Sequence, residues 1–141
     1  MEIITSKKKS LIGKIARKYK LELILLFGSQ VNGRVHPDSD VDIAVLPKGN
    51  KDFSMEKYSS LSSDLANFFS GKEIDLTFIN RANPLLLKKI SDNAMLVFGA
   101  RKIFVEFRLK AFKSFQDYLP YFKLEEHGVR QYLKQFSYGR R

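Results

Sequence analysis

Leu23-Ile24-Leu25-Leu26-Phe27-Gly28-Ser29, then ten residues, then Asp40-Val41-Asp42-Ile43-Ala44-Val45-Leu46, is the stretch that decides the fold. The first apolar run is short and unbroken, which predicts a buried strand. Gly28-Ser29 stops it. Residues 30–39 are rich in turn formers (Asn32, Gly33, Pro37, Asp38 and Ser39). From Val41 to Leu46 apolar residues resume, with Asp40 and Asp42 two apart at the opening, so a second strand is expected with both carboxylates on one face.

Working outward, Ser6 or Ser10 can cap a first helix whose apolar face is Leu11, Ile12, Ile15, Ala16 and Tyr19. Pro47 to Asn50 is a loop. Phe53, Tyr58, Leu61, Leu65 and Phe68 recur at helical spacing, predicting a helix over 52–70 that Gly71 closes. Residues 74–79 form a third strand, Pro84 opens a short helix through Ile90, and residues 95–98 form an edge strand. Ile103, Phe104, Phe107, Ala111, Phe115 and Tyr118 then mark a core-facing helix that Pro120 breaks or kinks. Helical spacing resumes over 121–136. The fold class expected is α+β: a small mixed sheet with helices packed on one side, and C-terminal helices. The whole of 1–141 is expected to be one domain, with 100–141 as its helical extension.

Two familiar loops are imitated in the central stretch, and both fail. Gly28-x4-Gly33-Arg34-Val35 lacks the Lys and Ser/Thr that a P-loop needs for phosphate and magnesium. Asp38-x-Asp40-x-Asp42 has Ile43 and Gly49 where an EF-hand needs its glycine and its bidentate glutamate. What remains is a paired carboxylate. Side by side, Asp40 and Asp42 repel unless a cation lies between them. Mg²⁺ is the natural one, since it binds through one or two carboxylates plus substrate phosphates. Gly28-Ser29 follows a strand where backbone N–H groups and a hydroxyl can hold phosphate oxygens. Asp75, inside the apolar third strand, is a third acid that would be out of place there unless it faced the same metal; Glu73 ranks behind it at the strand's edge.

Gly28, Ser29, Asp40, Asp42 and Asp75 together resemble the signature of the DNA polymerase beta-like nucleotidyltransferases. Within that superfamily the chain is similar to the minimal nucleotidyltransferase (MNT) antitoxins of HEPN–MNT toxin–antitoxin pairs. Two stretches carry this: His36-Pro37-x-Ser39-Asp40-x-Asp42, and Asp75-x4-Asn80-Arg81-Ala82-x-Pro84-Leu85-Leu86 running on to Met95-Leu96-Val97-Phe98-Gly99. The resemblance covers about residues 10–120. It implies a nucleotidyltransferase fold and AMP transfer from ATP. Two Mg²⁺ ions would be held by Asp40, Asp42 and Asp75, with Asp75 taking the acceptor's proton. Gly28 and Ser29, with Arg34 adding charge, would hold the departing phosphates, while His36 reads as a loop residue. The acceptor implied is a tyrosine of a partner HEPN ribonuclease. Transfer to RNA or a small molecule, and neutralisation by binding alone, are the alternatives.

Composition bounds these readings. The chain has 141 residues, 44% hydrophobic and 13% aromatic, enough for one packed core. No cysteine is present, which excludes disulfides, thiolate zinc sites and a cysteine nucleophile. No apolar run reaches a membrane span and Met1–Ser10 is no secretory signal, so a cytoplasmic protein without a membrane partner is expected. Net charge is +10, and the basic residues gather at both ends while the centre is slightly acidic. The basic termini leave nucleic acid open as a further partner. About forty residues follow the last strand, too few for a separate acceptor-binding domain, so the acceptor is expected to arrive on its own scaffold.

Overall fold

A computed structural model describes residues 6–28 and 40–138. The elements run α1 (Ser6–Lys18), β1 (Leu21–Phe27), β2 (Val41–Pro47), α2 (Met55–Phe68), β3 (Ile74–Phe78), α3 (Pro84–Asn93), β4 (Met95–Phe98) and α4 (Arg101–Tyr138). The sheet order is β3-β2-β1-β4. β1 pairs antiparallel with both β2 and β4, and β2 pairs parallel with β3 through the α2 crossover. The sheet is therefore mixed, as expected.

β1 is central and covered on both faces, which explains why it reads as unbroken apolar sequence rather than alternation: Leu23, Ile24 and Leu25 are fully buried. A bulge between Leu21 and Leu23 shifts the register by one residue. It puts Leu21 on the same face as Ile24 and Leu26, while Leu23, Leu25 and Phe27 face the other way.

The expectation of helices on one side is corrected here. α1 and α2 cover the face of Ile24, Leu26, Ile43 and Val45 through Ile12, Ala16, Leu61 and Leu65. α3 and α4 cover the face of Leu25, Phe27 and Ala44 through Leu86, Leu87, Ile90, Phe107 and Ala111. A four-stranded sheet with apolar residues on both faces of its central strands needs both layers to keep them from water.

Local signals fix the helix starts. The Ser54 side chain accepts from the Lys57 N–H at 3.2 Å, and Asn83 Oδ1 accepts from the Leu86 N–H at 2.9 Å with Pro84 in the first turn. α4 runs unbroken through Pro120 for 38 residues, where two helices were expected. Proline removes one backbone donor, but the turns on either side keep their own bonds and carry the helix across.

α1 and α2 are tied by a polar cluster. The Tyr19 hydroxyl donates to Asp64 Oδ2 at 2.6 Å and lies 2.7 Å from Ser60 Oγ, while Lys18 Nζ is 3.0 Å from the same carboxylate. The Tyr19 hydrogen bond, with Lys18 adding, holds the Asp64 carboxyl below its ordinary pKa against the opposing effect of burial. That contribution to stability is present above the ordinary carboxylate pKa and lost as pH falls through the lowered one. Tyr19→Phe should therefore cost about 1 kcal/mol at neutral pH. The gap from wild type in urea melts should close on acidification; a gap unchanged by acid would refute the linkage.

Candidate active site

The open end of the sheet, where β1 finishes and β2 and β3 begin, gathers the acidic residues. In the antiparallel pair, Phe27 lies opposite Asp42. In the parallel pair, Asp42 lies opposite Asp75, between the apolar pairs Val41–Ile74 and Ile43–Leu76. The Val41 N–H donates to the Glu73 carbonyl at 2.9 Å and anchors that register. Register partners project to the same face, so two carboxylates stand side by side on adjacent strands. Asp42 alternates with Ala44 along β2, which places it on the α3–α4 face of the sheet.

Gly28 closes the third side. Its φ is +81°, and a Cβ built there would collide with Oδ2 of Asp42 and sit 3.0 Å from its Cγ. A side chain at 28 would be strained by the backbone conformation and would displace the carboxylate it abuts.

The electrostatics follow from this packing. Asp42 is half-buried and Asp75 exposed. Burial first, then the Asp75 charge and a hydrogen bond shared with Asp75, raise the Asp42 pKa. Asp40 adds to the rise and Lys89 of α3 opposes it. Asp40 itself is exposed, just before β2, and Glu73 is exposed just before β3. Among the described residues no three acidic or histidine side chains form a ready-made metal cage. The Asp42–Asp75 pair fits Mg²⁺ nonetheless: it offers hard oxygen donors, among the described residues neither carboxylate forms a salt bridge, and magnesium takes its remaining ligands from water and substrate phosphates.

Ser29, Arg34 and His36 lie outside the described residues. The structure thus brings together Gly28, Asp42 and Asp75, with Asp40 at the margin. Lys89 of α3 contributes to the electrostatics of Asp42; the sequence reading passed over it because that helix was read only from Pro84 at its opening and Ile90 at its end. The signal is the position of Lys89 three residues after Leu86, beside the buried stripe, and it has meaning only once the face covered by α3 is known. A hollow of about 370 Å³ beneath α4, reached by Glu22, Leu46, Asn80 and Phe107, lies at the other end of the sheet and is separate from the acids.

Residues 9–103 match the family described as polymerase beta, nucleotidyltransferase. The chain is 30% identical over 97 residues to the protein adenylyltransferase MntA of Shewanella oneidensis, spanning 69% of this chain and 68% of that protein. A crystal structure of a toxin–antitoxin with AMP-PNP contains a chain similar to this one (25% identity, TM-score 0.69, covering 89% of this chain and 98% of that one). The structure of tri-AMPylated Shewanella oneidensis HEPN toxin in complex with MNT antitoxin shares the fold (22% identity, TM-score 0.65, 93% and 99% covered).

Proposed function

Because the chain belongs to the polymerase beta nucleotidyltransferase family, we propose that it is an antitoxin that transfers AMP from ATP to a hydroxyl, a tyrosine in particular, of a partner HEPN-type toxin. The observation that carries this reading is the pairing of Asp42 with Asp75 in register, with Gly28 packed against Asp42. The likeness to a protein adenylyltransferase and to an antitoxin solved with an ATP analogue supports it. An MNT antitoxin solved with an AMPylated HEPN toxin suggests the acceptor.

In this reading Asp42, Asp75 and Asp40 hold magnesium, two ions in all. The metal would neutralise the phosphate chain and lower the pKa of the acceptor hydroxyl. Asp75, the more exposed of the pair, takes the hydroxyl proton. The hydroxyl oxygen bonds to the α-phosphorus, the bond from that phosphorus to the bridging oxygen breaks, and pyrophosphate leaves. Gly28 keeps the backbone close to Asp42, and Gly28, Ser29 and Arg34 would hold the leaving phosphates. No helix of the described residues is long and apolar enough to cross a membrane.

The test is to incubate the protein with α-labelled ATP, Mg²⁺ and lysate of its source cells, beside Asp42→Ala. A protease-sensitive labelled band that the variant fails to make, and whose mass identifies a HEPN protein, is the expected result. Label in ribonuclease-sensitive material would instead favour RNA as acceptor, which the basic termini make the second reading. No label with any nucleotide would overturn the enzymatic reading.

A further inference from the structure

The face that seats α4 on the sheet does not end where the rest of the chain does. Phe107 and Ala111 are buried, and Phe115, Tyr118 and Phe122 are half-buried, at the steps of one helical face. From 123 to 135 every residue is exposed, yet residues 123–138 carry the helix about 24 Å further. The same face continues through Val129 and Leu133, which are 57% and 58% exposed. Helices in proteins owe most of their stability to packing an apolar face, and this part of the face packs on nothing among the described residues.

A second row runs beside it. Lys123, His127, Arg130 and Lys134 follow one another at helical steps along one flank of the apolar row. The acids of this segment are already engaged. Arg130 Nη2 lies 2.7 Å from Glu126 Oε1, and the Tyr118 hydroxyl donates to Glu125 Oε2 at 3.1 Å. Among the described residues Lys123 and Lys134 form no salt bridge. An occupant matched to this surface is therefore an apolar ridge with carboxylates along one side.

A second copy of this chain does not match. Two copies paired antiparallel are related by a two-fold axis that sets each flank beside its own duplicate, basic row against basic row. In a parallel pair the second helix would run into the sheet, which occupies this face of α4 at Phe107 and Ala111. RNA does not match either, since aliphatic side chains such as Val129 and Leu133 offer bases no stacking surface. We propose that the distal part of α4 docks a protein partner, whose apolar ridge lies along Val129 and Leu133 with its carboxylates on Lys123 and Lys134. Resting on the reading above, that partner is the HEPN-type protein, held by α4 independently of the acids on the sheet.

The experiment is calorimetric titration of the full chain with the purified HEPN-type protein of its source cells. Wild type is compared with Val129→Glu/Leu133→Glu, Lys123→Glu/Lys134→Glu and Lys7→Glu/Lys14→Glu. All these positions are exposed, and glutamate suits a helix about as well as the residues it replaces, so melting temperatures should be unchanged. The Val129/Leu133 variant should bind more than tenfold more weakly at any salt concentration. The Lys123/Lys134 variant should lose about tenfold at low salt and less at high salt. The Lys7/Lys14 variant makes the same charge change on α1 and should lose less than about threefold. Equal weakening by the two lysine variants would reduce the effect to net charge and overturn the proposal, as would undiminished binding by the Val129/Leu133 variant. Wild type that does not bind the HEPN-type protein, whether it self-associates through α4 or binds RNA instead, would also overturn it. Wild type that binds the protein but transfers no AMP to it would sink the AMP-transfer reading, and docking would still be decided by these affinities.

Discussion

Asp42→Asn should abolish transfer and at the same time melt higher than wild type. The first effect follows from the proposed function, in which a neutral amide would stand where a metal-binding carboxylate is needed; groups that stabilise developing charge are each worth on the order of 10²–10³ in rate. The second follows from the pairing with Asp75. Burial and the facing acid raise the Asp42 pKa above its value in the unfolded chain, so the folded state holds that proton more tightly. Its contribution to stability is full below the ordinary carboxylate value and is lost as pH rises through the raised one. Asparagine carries no proton to lose. The variant should gain roughly 2–4 °C in melting temperature at neutral pH, and the gain should disappear on acidification. If the pair holds magnesium as proposed, Mg²⁺ should raise the melting temperature of wild type and not that of the variant. A variant that melts lower than wild type at neutral pH would show that the two acids do not repel, and the site would lose its electrostatic rationale.

Gly28→Ala should act on the same carboxylate with the opposite sign in stability. Alanine at a φ of +81° costs about 1–2 kcal/mol in backbone strain, so the variant should melt below wild type. The new methyl collides with Asp42 Oδ2. That atom ends a rotatable side chain, so the fold survives if the carboxylate swings away from Asp75. Activity does not survive so easily, because a misplacement of about 1 Å at a reacting centre can cost on the order of 10²-fold. Melting curves and the labelled transfer assay on the two variants separate these effects: one loses activity and gains stability, the other loses both. Full transfer by Gly28→Ala would show that the backbone at 28 and the carboxylate at 42 do not act together.

Much of this site was readable from the chain because its residues break local rules. An acid inside Ile74-Asp75-Leu76-Thr77-Phe78 has no reason in a strand-forming pattern, and the structure pairs it with Asp42. β1 was readable as buried because Leu23 to Phe27 has no polar residue at all. What a linear pattern does not carry is which face a distant helix covers. Leu86, Leu87 and Ile90 mark a buried stripe, yet nothing local says that it meets Phe27 and Ala44 rather than the face of Ile43 and Val45. For that reason the second helical layer went unread, and with it Lys89. Pro120 misled in another way: a proline is a strong local signal against helix, but its cost falls on one turn, and the helix continues on both sides of it.

The in-register pairing of β2 with β3 acts as a gauge. Neighbouring strands lie about 4.8 Å apart because that is the reach of the backbone hydrogen bonds between them. The backbone separation of Asp42 and Asp75 is thus set by the ladder itself, not by α2 or by the turns at either end of it. Insertions, deletions or rewritten surface residues in the crossover can alter what docks beside the acids while leaving their spacing untouched. A chain built this way can change its client without recalibrating its chemistry.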